Sequence, residues 1–313
     1  MTAAPNTAPV EPQQANRTYV EATDVAGAVA ALAAGARPVA GGTDLVVGAR
    51  HGKAPLPGSL VGIHRIAALS SLDRLPDGGL RIGALVTHAT LAEHPDVLAA
   101  YPGLADASAI VGSHATRANG TLGGNVMNAS PAMDTGAPLL CHGAVAVLVG
   151  PSGERRVALS DLWTGPGRTS ASPDELLVAV ELEPVADRSG SAYVRLQYRR
   201  QMEIAVVGVG AAVTLDDSGV VTSARVAISA LSPVIERVAE AEAALVGSDG
   251  ASAIEAAATA VAAAARPISD VRGSADYRRA MARVMGRRAV LTAVRRAHGD
   301  AIAVPASDTT FGS

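Results

Sequence analysis

A single cysteine, Cys141, rules out a disulfide framework and any cysteine-ligated iron–sulfur cluster built from this chain alone. Seven histidines are scattered without an H-x-H or H-E-x-x-H arrangement, so no metal site is expected. No basic run resembles a phosphate-tracking groove and the net charge is -3, which argues against a nucleic-acid surface. Arg287-Arg288 and Arg295-Arg296 read instead as the wet face of a C-terminal helix. Hydrophobic residues make up 49% of the chain, but much of that is alanine. The long apolar run at 256–265 is too short and too small to span a bilayer. The first residues also lack the basic start and apolar centre of a signal peptide. A cytoplasmic protein that is not integral to a membrane is the expectation.

A chain of 313 residues is long enough for two substantial cores. A composition shift from Pro184 to Ser191 marks a boundary between a domain at 18–186 and another at 190–298. Residues 1–17, rich in Ala, Pro, Gln, Asn and Thr, read as a disordered tail, and 299–313 as a second tail. No internal repeat is visible.

Against these absences stands one dense stretch, Thr121-Leu122-Gly123-Gly124-Asn125-Val126-Met127-Asn128-Ala129-Ser130-Pro131-Ala132-Met133-Asp134. A hydroxyl, a double glycine, two asparagines, a Ser-Pro step and an acid predict a segment too irregular for a helix and too glycine-rich for a packed strand. Paired glycines let a backbone approach a ligand and aim several N–H groups at one anion, for which a pyrophosphate is the obvious candidate. A surface turn with Asn125 and Asn128 as turn formers explains the same residues.

A second loop shifts the balance. Apolar spacing predicts a helix from Asp24 to Ala33, capped by Thr23 or Asp24. Gly35-Ala36-Arg37-Pro38 stops it, a strand begins at Val39, and Ala40-Gly41-Gly42-Thr43-Asp44-Leu45 follows directly. Helix, short strand and a glycine loop ending in a hydroxyl and an acid form a plausible nucleotide cradle. The hydroxyl can donate to phosphate and the acid can accept from a ribose or an amide.

In that order and separation the motifs are specific. The chain, over about residues 18–297, resembles the FAD-binding medium subunits of molybdenum hydroxylases, the carbon monoxide dehydrogenase and xanthine dehydrogenase family. Its A-G-G, T-x-G-G-N and S-P-x-x-D motifs read here Ala40-Gly41-Gly42, Thr121-Leu122-Gly123-Gly124-Asn125 and Ser130-Pro131-Ala132-Met133-Asp134. An I-G-A-x-x-T pattern falls on Ile82-Gly83-Ala84 and Thr87, and Pro267, Asp270, Arg272, Tyr277 and Arg278 match a P-x-x-D-x-R…Y-R signature. The chain departs at Gly62, where relatives usually carry an acid, and at Arg117-Ala118, where they carry R-N.

The resemblance implies an α+β fold. A two-lobed FAD-binding domain of mixed sheets and helices, PCMH-like, is followed by a C-terminal α+β domain with a three-stranded antiparallel sheet and a helical bundle. Residue patterns agree with parts of this. A hairpin is expected around 150–153, a strand at 175–182, a helix from Thr90 to Leu98 and another from Leu104 to Ile110, extended segments at 192–200 and 204–210, and helices at 239–246, 251–265 and 277–297. Gly208-x-Gly210 is no dinucleotide fingerprint, because position 213 is Val and a hairpin turn at 216–219 stands where a helix is required.

The resemblance also implies a site. Val39, Ala40, Gly41, Gly42, Thr43, Asp44 and Leu45 from the first loop, and Thr121, Leu122, Gly123, Gly124 and Asn125 from the second, would hold FAD, with Thr43 and Thr121 donating. Asp44 and Asp134 would fix polar groups of the cofactor. Val111, Leu177 and Arg195 fall where relatives touch the flavin, and Arg195 could stabilise negative charge on the reduced ring. Arg117 reads as pinning the loop. With one Phe and five Tyr available, Tyr193 is a candidate ring shield, with packing in the sheet the favoured reading.

No nucleophile–base pair or acid–base dyad is visible, so no catalytic residue is assigned and the hard chemistry belongs to a cofactor. The implied assembly has a large subunit carrying the molybdopterin cofactor and a small iron–sulfur subunit with two [2Fe–2S] clusters that feeds FAD here. A dimer of such heterotrimers, and contact with the inner face of the membrane through the complex, are further implications. The alternatives are a stand-alone flavin oxidase, for which only His51, His114 and Cys141 could tether a flavin, and a non-catalytic scaffold subunit.

Overall fold

A computed structural model describes residues 17–52 and 54–307. The tail expected at 1–17 lies, apart from Arg17, outside the described residues. The polypeptide forms mixed α+β structure around three hydrophobic cores.

The first lobe is a parallel three-stranded sheet with Ser59–Gly62 between Thr18–Glu21 and Arg37–Val39. The helix Val25–Ala33 covers it, and Asp24 caps the helix by accepting from the Gly27 amide at 2.7 Å. At Gly62, where the resemblance implies an acid, a Cβ would meet the hydroxyl of the exposed Tyr19.

The second lobe is an antiparallel five-stranded sheet in the order Leu72–Arg74, Leu80–Gly83, Leu176–Leu182, Val145–Gly150, Gly153–Ala158. The hairpin expected around 150–153 closes its edge. The helix expected from Thr90 to Leu98 is two helices, His88–Glu93 and Pro95–Ala100. Pro95 lacks an N–H to continue the first and disfavours helical geometry at His94, so it starts the second. The helix Pro102–Ile110 is almost wholly buried.

Residues 183–188 pass to a third, antiparallel sheet ordered Ser189–Leu196, Val207–Leu215, Val221–Ser229, Glu236–Arg237. It has four strands and not the three expected; the fourth has two residues, too few to leave a pattern in the sequence. The helices Ala239–Leu245, Ile254–Ala264 and Ala275–Ala297 pack on its other side, the last capped by Ser274. Small residues set the spacing: a Cβ at Gly190 would strike the backbone of Ala293 and Ala297.

The tail expected at 299–313 is corrected in its first part. Ala306 and Ser307 are fully buried. The Ala306 amide donates to Asp106 at 2.8 Å, and the Arg195 amide donates to the Ser307 hydroxyl at 3.1 Å. Residues 308–313 lie outside the described residues. Among the described residues, no helix is long and apolar enough to cross a membrane.

Candidate functional site

The two glycine loops, some eighty positions apart in sequence, meet backbone to backbone. A Cβ at Gly41 would collide with the Asn119 carbonyl, and one at Gly120 would stand 3.6 Å from the Thr43 hydroxyl. Only glycine at 41 permits that approach.

The first loop leaves the strand Arg37–Val39, turns at Gly42 with φ 68°, and enters the helix Thr43–Arg50. No side chain caps this helix. Its first turn therefore presents backbone donors and the positive end of the helix dipole beside the crossing, the arrangement that receives phosphate elsewhere. The helix buries none of its residues, and Asp44, Val46 and Val47 are exposed. Val39, Ala40, Gly42, Thr43 and Leu45 are half-buried behind them.

The second loop differs from the expectation of an irregular segment. Residues Leu122–Asn128 form a helix with Thr121 as its cap. The Leu122 amide donates to the Val86 carbonyl and the Gly123 amide to the Ala84 carbonyl, both at 2.9 Å. The Gly124 amide donates to the Thr121 hydroxyl oxygen at 3.1 Å and the Asn125 amide to the Thr121 carbonyl at 3.0 Å. Two glycines cost a helix about 1 kcal/mol each. Full burial of Leu122 and Val126, at about 2 kcal/mol each, offsets that cost.

The amides of Leu122, Gly123, Gly124 and Asn125 are thus engaged within the protein, whereas the first turn of Thr43–Arg50 has no capping side chain. Gly123 serves packing instead, because a Cβ would press on Ala84 at 2.6 Å and push the helix off the sheet. Gly124 is exposed, and a Cβ there would find only Thr121 within 4 Å, so its outer side is open. Asn125 accepts from the Thr135 hydroxyl at 2.6 Å, which fixes its amide plane.

Asp134 and Arg195 do not face that opening. Arg195 is 0% exposed and Asp134 is buried. Arg195 Nη1 donates to Asp134 Oδ2 at 2.7 Å, and the Tyr193 hydroxyl donates to Asp134 Oδ1 at 2.8 Å. Arg195 also holds the Gln197 side chain through Nε at 3.0 Å and the Glu203 carbonyl at 3.4 Å. Burial raises the pKa of Asp134, against the pull of Arg195 and Tyr193. Burial likewise raises Tyr193 well above the usual phenol value, and the Asp134 charge adds to it. In this arrangement neither Arg195, Asp134 nor Tyr193 can touch an outside ring. They hold one another at the seam between the second lobe and the third sheet.

Leu177 is likewise buried in the core of the second lobe and not at a surface. Val111 is half-buried, and its carbonyl accepts from Arg117 Nη1 at 3.0 Å. Arg117 also bonds His114 Nδ1 at 3.1 Å, so it pins the turn before the second loop.

Three features escaped the sequence. The His88 amide donates to the Gly120 carbonyl at 3.0 Å, and its buried ring lies against Gly120 with Nδ1 unpartnered. Burial first, and the Arg117 charge second, lower its pKa to about 4, so the ring is neutral. Asn119 and Gly120 complete the crossing, and their place directly before the T-x-G-G-N motif is the signal that could have found them. Last, the Met202 amide donates to the Gly112 carbonyl at 2.9 Å, so the loop 197–206 of the third sheet reaches the second lobe beside Val111.

The residues present fit a dinucleotide-type cofactor: an uncapped helix start, a backbone crossing without side chains, and an open outer side at Gly124. Among the described residues, no group of three or more His, Cys, Asp or Glu could hold a metal ion.

Comparison with known proteins supports this assignment. Residues 13–184 match the family described as the FAD binding domain in molybdopterin dehydrogenase, and residues 191–293 the CO dehydrogenase flavoprotein C-terminal domain. The chain is 30% identical to a putative xanthine dehydrogenase FAD-binding subunit of Escherichia coli, over 90% of this chain and 97% of that one. It is 33% identical to the carbon monoxide dehydrogenase medium chain of Afipia carboxidovorans, over 89% and 97%. In structure it is similar to a chain of carbon monoxide dehydrogenase from Hydrogenophaga pseudoflava, with TM-score 0.85, 31% identity, and coverage of 90% and 98%.

Proposed function

The chain belongs to the FAD-binding subunits of the molybdenum hydroxylases, and from that premise we propose how its residues hold the cofactor and serve electron transfer. FAD is the cofactor, and the chain is the flavin-carrying part of an oxidoreductase. When bound, FAD supplies the capacity to take up electrons and to hand them on.

The start of the helix Thr43–Arg50 receives the pyrophosphate on its backbone donors, with the Thr43 hydroxyl adding one more. Gly41 and Gly42 keep side chains out of the way, and Gly124 leaves the outer side of the second loop open. Asp44, exposed at the same edge, accepts from a ribose hydroxyl or an amide. Thr121, Leu122, Gly123 and Asn125 act one step back by fixing the wall. The buried Asp134–Arg195 pair fixes the seam with the third sheet and the ends of the loop 197–206.

No side chain is assigned to substrate chemistry. Electrons reach this chain from a small subunit with two [2Fe–2S] clusters, fed in turn by a large subunit carrying the molybdopterin cofactor, in a dimer of heterotrimers, and leave to an external acceptor. The observation that carries the reading is the approach of Gly41 to Asn119, which joins the two motifs into one cradle. The test is the visible spectrum of the tagged chain purified gently from its native host. Flavin bands with an iron–sulfur shoulder support the reading. Flavin bands that persist alone in an active particle would favour a stand-alone oxidase, and a colourless particle a scaffold.

A further inference from the structure

The signature Pro267-Ile268-Ser269-Asp270-Val271-Arg272 with Tyr277-Arg278 takes no part in the cradle. Half of it is explained by the fold. The Asp270 amide and the Gly273 carbonyl bond at 3.1 Å, as do the Gly273 amide and the Asp270 carbonyl, closing a tight turn. Asp270 Oδ1 accepts from the Arg272 amide at 2.8 Å and from Arg278 Nη2 at 2.6 Å. Arg278, itself buried, donates to the Val206 carbonyl at 2.8 Å. The Tyr198 hydroxyl donates to the Arg272 carbonyl at 2.5 Å, and Tyr277 stands beside it.

The other half has no use inside the chain. Val271, at the tip of this fixed turn, is 99% exposed, and Ile268 is 70% exposed. Tyr198 and Tyr277 flank them at 58% and 39%. Apolar side chains held on a rigid turn lose little freedom on docking, and a cluster of them is the kind of anchor that fills a partner's pocket. The surroundings are cationic. Arg199, Arg266 and Arg279 each have one carboxylate, Arg272 and Arg278 share Asp270, and Arg200 is exposed on the same loop as Tyr198. That local positive surplus, on a chain of net charge -3, fits an acidic rim.

We propose that the Asp270–Gly273 turn, with Val271 at its tip and Ile268, Tyr198 and Tyr277 around it, is the docking surface for a different protein, a partner subunit offering an apolar pocket ringed by carboxylates. The inference rests on the chain being one subunit of a complex. The surface is tied to the cradle. Tyr198 lies on the loop 197–206, whose ends Arg195 and Arg278 hold and whose Met202 bonds to Gly112 on the second lobe. A partner seated there sits on the loop that reaches Val111.

The test compares the complex purified from the native host through tagged wild type, Val271→Glu and, as control, Val246→Glu, which is half-exposed at the end of a different helix. Wild type and Val246→Glu should carry the same partner in fixed stoichiometry, and Val271→Glu should lose it with its thermal transition unchanged. A photo-reactive residue at 271 should cross-link to that partner at an apolar segment flanked by Asp or Glu, and the association should weaken as salt rises. Retention of the partner by Val271→Glu overturns the proposal. So does a wild-type particle whose mass is a multiple of 31.3 kDa, since the occupant would then be a second copy, and so does a wild-type chain that carries no partner. A colourless wild-type chain counts against the flavoprotein reading; a yellow Val271→Glu chain that still assembles counts against this one.

Discussion

Asp134 and Arg195 meet at 2.7 Å across the seam between the second lobe and the third sheet, with Tyr193 on the other carboxylate oxygen. A charge buried this deeply is tolerated because it is paired and hydrogen-bonded. Removing one partner strands the other. Arg195→Met should therefore cost about 3–5 kcal/mol of unfolding free energy, and Asp134→Leu a similar amount. The double variant should recover much of the loss. Chemical denaturation of the four proteins checks this, and additive losses would mean the two residues act separately.

Gly41→Ala probes the crossing of the loops. Its Cβ has no room against the Asn119 carbonyl, so the first loop must move off the second. Flavin content per chain should fall strongly, and the far sheet and helices, which share no contact with Gly41, should keep their protection in hydrogen exchange. Full flavin in this variant would mean that the close approach is not needed for binding.

Acid stability should be set in part by two neutral histidines. His88 is lowered to about 4 by burial and Arg117, and His142 to about 3 by burial and Arg225. The unfolded chain takes up protons near pH 6.5 and the folded chain does not. Their neutrality costs nothing above that pH, and stability is lost as the pH falls from about 6.5 towards 4 and 3, by roughly 3 kcal/mol or more per histidine. His142 packs edge-on against Tyr101 and its Nε2 has no partner, so His142→Phe keeps the packing. Denaturant midpoints measured from pH 7 to pH 4.5 should fall less steeply in this variant than in wild type; equal slopes would mean that His142 contributes nothing to acid lability.

The glycine loops were legible because close approach demands a residue without a side chain, and two such places in order leave a pattern. The second loop's helix was not, because Gly123-Gly124 lowers local propensity while the bonds that override it come from Val86 and Ala84 on another segment. Arg195 was found as a cation near the site, but its partner Asp134 is fixed only by the tertiary fold, and so is its burial. The split at Pro95 was readable from the proline alone. Ala306 and Ser307 gave no signal, since two small residues after Val304-Pro305 look like any chain end until Asp106 and the Arg195 amide bind them.

Flavin occupancy of Gly124→Leu, read from the ratio of flavin to protein absorbance, decides whether the two glycine motifs form the cofactor cradle. Gly124 is exposed and faces open space beyond Thr121, so the chain should fold and keep its thermal transition. With the cradle filled by the new side chain it should carry no flavin. A folded Gly124→Leu protein with a full complement of flavin would place the cofactor elsewhere.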